Sequence, residues 1–115
     1  MSNIQKQLAY IRDILDTLEE ATDHFSKLVR ERELLHCTNM LTTIVEGFEA
    51  VKGALNTSDE DLNEQMSKLE QYILMMAKNL EKSSFIKLQE ILQFSFTPEL
   101  RKFKQTFEEV YRPVI

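Results

Sequence analysis

The order of residues predicts an all-α fold: an antiparallel helical bundle of four long helices, the fourth broken or kinked at Thr97-Pro98. Three observations carry that prediction. Apolar residues recur at alternating steps of three and four through four long stretches, the spacing of one face of an α-helix. Only two glycines and two prolines occur in 115 residues, too little turn material for a β-protein. Short polar clusters suited to capping helices separate the stretches.

The first helix is expected over residues 2–29. Ser2 or Asn3 can accept its first free amide hydrogens. Ile4, Leu8, Ile11, Leu15, Leu18, Thr22, Phe25 and Val29 then keep an unbroken 4-3-4-3 seam. Thr22, the one polar residue in it, can return its hydroxyl to its own helix. The phase breaks at Arg30-Glu31-Arg32-Glu33, where no Gly, Pro or Asn stands to stop a helix. A tight polar turn and one bent helix of more than 50 residues both fit. Ordinary helix lengths favour the turn.

Residues 34–55 form the second helix and are apolar over more than half its circumference. One row is Leu34, Cys37, Leu41, Ile44, Phe48, Val51 and Leu55; the other is Thr43, Gly47, Ala50 and Ala54, headed by His36. So wide an arc predicts a place in the middle of the bundle. Asn56 suits a left-handed residue after a helix, and Thr57 with Glu60, or Ser58 with Asp61, suits a capping box for the next. The third helix, 59–82, has the seam Leu62, Met66, Leu69, Ile73, Met76 and Leu80, with Leu74 and Met75 outside it. Ser83-Ser84 marks a hinge. Short helices over 85–96 and 98–111 follow, because Thr97-Pro98 reads as a helix start or as a kink. Phe94 lies off the inward stripe.

The chain length and its 43% apolar and 29% charged residues fit a single globular domain, 1–115. A formal charge of −5 argues against nucleic acid and anionic membrane surfaces as partners. Cys37 is the single cysteine, so no internal disulfide forms. The first residues lack the pattern of a secretory signal, and no apolar run reaches membrane-spanning length. The expected compartment is therefore the cytoplasm.

Few patterns suggest chemistry, so neither a catalytic residue nor a cofactor is expected. Glu33 and His36 have the Glu-x-x-His spacing of metal-binding bundles, but such sites need a second pair and further glutamates. A partly buried His36 bonded to backbone or to Glu33 is the plainer expectation. His36 and Cys37 are neighbours projecting about 100° apart on a helix, which prevents a direct nucleophile–base couple. The acidic run after Asn56 lacks the glycine and alternating oxygens of a calcium loop. Glycine inside a helix costs about 1 kcal/mol relative to alanine, so Gly47 and Gly53 call for a reason. The row Thr43, Gly47, Ala50, Ala54 can serve tight packing within the monomer, or a groove for a partner helix or a second copy.

At Leu34-Leu35, at Ile44 to Phe48, at Ala54-Leu55, and again at Leu88 to Phe94 and Pro98, the chain resembles a family of small helical bacterial proteins of unknown function, mostly Gram-positive. The resemblance implies a helical bundle without an assigned activity and transfers no functional residue. In size and in Leu28 to Leu35 the chain also resembles flagellar export chaperones. The expected function is a non-enzymatic interaction module (adaptor, chaperone or regulatory partner) acting on another protein or on itself as a homodimer. Its candidate surface comprises Thr43, Gly47, Ala50, Ala54, Leu74, Met75 and Phe94. The alternative is a metal-binding enzyme or sensor using Glu33 and His36. Protection of the bacteriocin-immunity type fits the acidic bundle without any residue to carry it.

Overall fold

Ser2 starts the first helix with a reciprocal cap: its hydroxyl accepts from the Gln5 amide, and its own amide donates to the Gln5 side chain. The computed structural model describes residues 2–114. Helix α1 spans Asn3–Arg30, α2 Leu34–Ala54 and α3 Glu60–Glu81. The fourth helix begins as α4, Phe85–Ile91, passes through one π turn at Leu92–Phe96, and continues as α5, Thr97–Tyr111. No strand occurs among the described residues.

The turn at 31–33 is real, and it is made without glycine. Arg32 adopts the left-handed conformation, φ 57°. Its amide bonds to the Val29 carbonyl and the Glu33 amide to the Leu28 carbonyl, which closes the helix in a Schellman motif. Ser83, φ 55°, does the same after α3, with Ser84 donating to Asn79. Asn56 is not left-handed. Asp59, rather than Thr57 or Ser58, caps α3, accepting from the Leu62 amide at 2.9 Å.

Helices α1 and α3 both pack on the fourth helix, and α2 lies chiefly along α1. The expectation of α2 in the middle of the bundle is thus corrected: it touches α3 over a shorter stretch and the fourth helix marginally at most. Its wide apolar arc is divided between α1, the core and an opening toward α3. The core runs through Ile11, Leu15 and Phe25 of α1, Ile44 of α2, Leu62, Leu69 and Met76 of α3, and Leu88, Phe96, Phe103 and Phe107 of the fourth helix. Thr22 donates to the Leu18 carbonyl at 2.7 Å, as its place in the seam requires. Ile4 and Leu34, expected in the seams, are 63% and 47% exposed. Gln65 takes the buried position expected of Met66, its amide donating to the Thr106 hydroxyl across to α5 at 3.0 Å. Lys104 clips α5 to Asp16 and Glu19 of α1, and Arg12 pairs with Glu108.

At Thr97-Pro98 the fourth helix is kinked, as expected, and joined rather than broken. Leu88, Leu92, Phe96 and Leu100 are all buried, at successive steps of four. In an α-helix twelve residues overshoot three turns by about 120°. The π turn absorbs that excess with one extra residue, the Thr97 amide bonding to the Leu92 carbonyl five residues back. Pro98 follows directly, where it has no amide to offer and its ring would press on the carbonyl four residues back in a regular helix. The widened turn gives the ring room.

Candidate functional site

A groove of about 580 Å³ runs between α2 and α3. Clefts of about 300–1,000 Å³ are the usual size for binding small ligands. From α2 it is lined by Leu34, Thr38, Leu41, Thr42, Val45 and Glu46; from α3 by Ala77, Leu80 and Glu81. Leu41 and Leu80 are buried and form the floor. Thr38 and Thr42 donate their hydroxyls to the carbonyls of Leu34 and Thr38, at 2.9 and 3.0 Å. Their polar groups are therefore satisfied within the helix, and the wall they form is effectively apolar.

An ion pair between Lys52 and Glu70, 2.9 Å, ties the two helices at one end of the groove. Leu74 stands between Glu70 and Ala77 on the same helical stripe and is 61% exposed, but it does not line the groove. The other end reaches Leu34, next to the turn at 31–33. Leu35 and Ile86 are exposed there as well, since both tight turns lie at this end and Arg32 shares a small cleft with Ile86.

Of the candidate residues read from the sequence, Thr43, Gly47 and Ala50 share one open cleft of about 370 Å³ with Tyr10 and Ile14 of α1, while Ala54, Leu74, Met75 and Phe94 lie outside it. Gly47 lies against α1: a Cβ built on it would stand 2.7 Å from Leu18 Cδ2 and 3.2 Å from Cγ. The small-residue row is thus occupied at its centre by a helix of the same chain. Thr43 is exposed, Ala50 is half-buried, and Ala54 accepts a bond from the Gln7 amide at 2.6 Å. Met75 is 45% exposed on α3, and Phe94 is 72% exposed on the π turn, away from α2. Gly53 has nothing within 4 Å of a built Cβ. Gly53→Ala is therefore expected to stabilise by about 1 kcal/mol through helix propensity. Gly47→Leu is expected to destabilise by about 1–3 kcal/mol through overpacking. Thermal melts of the two variants check both signs.

A family described as Domain of unknown function (DUF8042) matches residues 8–106. The chain belongs to this family. The DUF8042 match contains the whole groove, from Leu34 to Glu81, and both tight turns. No curated protein and no solved structure matches the chain.

Within the DUF8042 region the ionisable groups singled out by the sequence are dispersed. His36 is exposed, not partly buried, and lines a shallow cleft between α1 and α2 together with His24. That convergence of the two histidines was not anticipated. Among the described residues no three of His, Cys, Asp or Glu come together in a way that could hold a metal ion. Cys37 is fully buried. Burial first, and the charge of Glu33 second, push its thiol above the ordinary range. Both causes disfavour the thiolate that a nucleophile needs.

Proposed function

We propose that this chain is a non-enzymatic protein-interaction module, an adaptor, chaperone or regulatory partner, which holds an apolar segment of another protein in the α2–α3 groove. One observation carries the reading: Leu41, Val45 and Leu80 form an open apolar trough whose threonines have spent their hydroxyls internally. Exposed apolar surface gathered in one trough favours association, whereas the same residues scattered singly need no explanation. Leu34 extends the trough at one end and is 47% exposed. The cytoplasm is the compartment this reading assigns, with Cys37 kept as a buried thiol.

The test places a charge in the groove at the exposed Ala77 and, separately, at Val45, which packs against the core. Ala77 is exposed, so Ala77→Arg should leave the melting temperature nearly unchanged. Val45 is half-buried, so the thermal melt of Val45→Arg is read beside its binding. Proteins recovered with the wild-type chain from its native cells should be lost with Val45→Arg and with Ala77→Arg. They should persist with Gln105→Arg, a substitution on the exposed side of α5. Retention of the same proteins by both groove variants would contradict the assignment.

A further inference from the structure

We infer that the occupant of the groove is a helix of about three turns from another protein, apolar along one face and bearing lysine or arginine at its margins, rather than a second copy of this chain. The inference rests on the reading of the groove as a protein-docking site. Its length follows from the lining of α2. Leu34 to Glu46 is twelve residue steps, about 18 Å at 1.5 Å each, which a partner helix of about three turns matches. A helix can place side chains at i, i+3, i+4 and i+7 along such a trough while keeping its own backbone bonded.

The charge of the occupant follows from the margins. Glu46 lines the groove from α2 and Glu81 from α3, and no lysine or arginine lines it. Neither glutamate takes part in an ion pair among the described residues. Lys52 is held by Glu70, and Lys78 and Lys82, on either side of Glu81 in the chain, do not line the groove. An apolar floor between two uncompensated carboxylates selects apolar side chains flanked by cations, and opposes acidic flanks.

The same carboxylates argue against self-association. A twofold contact lays the same patch on itself, so each acidic margin would face its copy. Nor does the chain offer a suitable helix of its own. The exposed large apolar side chains of the helices, Ile4, Tyr10, Leu34, Leu35, Leu74, Met75, Ile86 and Phe94, are spread over all four helices and form no stripe of three at helical spacing.

Two synthetic helical peptides of about 14 residues, sharing one leucine stripe and flanked by lysines in one and glutamates in the other, test this on the full chain by fluorescence anisotropy. The lysine-flanked peptide should bind about tenfold more tightly at low salt, with the difference shrinking as salt screens the margins. Glu46→Gln and Glu81→Gln should each weaken it about two- to fivefold, the effect of an exposed ion pair. The double reversal Glu46→Lys with Glu81→Lys should invert the preference. Equal binding of both peptides, abolished by Val45→Arg, would overturn the charge assignment while leaving the docking groove in place. Binding of neither peptide would overturn both. So would a dimer of the chain in sedimentation that Val45→Arg disperses, since a second copy would then fill the groove.

Discussion

Phe103→Ala should lower the stability of the bundle by about 3–5 kcal/mol, whereas Phe94→Ala, nine residues earlier on the same helix, should change it by about 0.5 kcal/mol or less. Phe103 is 1% exposed in the core, and Phe94 is 72% exposed on the π turn. Removing the buried ring forfeits its transfer free energy and leaves a cavity that packed neighbours cannot fill. A domain of ordinary stability has about 5–15 kcal/mol in total, so the core variant should melt far lower or fail to fold at 37 °C. Urea titrations of the two variants under identical conditions measure the contrast. A large loss at Phe94 would mean that the fourth helix is rotated from its described position.

The second large effect concerns the π turn. Deleting Phe94 removes the one extra residue between Leu92 and Phe96, so the seam becomes Leu88, Leu92, Phe96, Leu100 at steps of 4-3-4 and fits a regular α-helix. The core register survives, but Pro98 then sits inside an unrelieved helix and its ring meets the carbonyl of Gln93, now four residues back. The deletion alone should cost about 3 kcal/mol. Adding Pro98→Ala to the deletion should restore most of that loss, because alanine supplies an amide and removes the clash. Chemical denaturation of the wild type, the deletion and the combined variant provides the three values. Failure of Pro98→Ala to rescue the deletion would show that the extra residue, and not the proline, is what the core requires.

Much of this architecture is written in the spacing of apolar residues, because a helix must bury one face whatever its partners. The seam from Leu8 to Val29 and the internal bond of Thr22 follow from that alone. The π turn was also legible, in the three steps of four from Leu88 to Leu100, but the helix-start signal of Thr97-Pro98 masked it. Gln65 displaced Met66 because a buried amide can be satisfied by Thr106 on another helix, and the sequence contains no record of that pairing. The turn at Arg32 was hidden for a related reason: a non-glycine residue holds the left-handed conformation where the Schellman bonds fix it.

The candidate site was less legible than the fold. Periodicity shows that α2 is apolar over a wide arc but not which part of the arc faces α1 and which faces an opening. Gly47 pointed to a close approach, and the approaching helix proved to be α1. Leu74 was singled out for its position off the seam; it is exposed, and it is not part of the groove lining. Val45 and Thr38 were not singled out, since nothing in one sequence reveals that Thr38 donates its hydroxyl within its own helix. His24 and His36 lie on either side of a turn centred near residue 32, and folding α2 back along α1 was enough to bring them to one cleft.

The claim on which the functional account depends is that the α2–α3 groove, and no other face, receives a partner. A photo-activated cross-linking residue placed at Thr42, within the groove, and separately at Gln105, on the exposed side of α5, examines it inside the native cell. A discrete cross-linked species of one partner protein is expected from Thr42, abolished by Ala77→Arg in the same chain, and none from Gln105. Cross-links of equal yield from both positions, or a Thr42 product indifferent to Ala77→Arg, would contradict it.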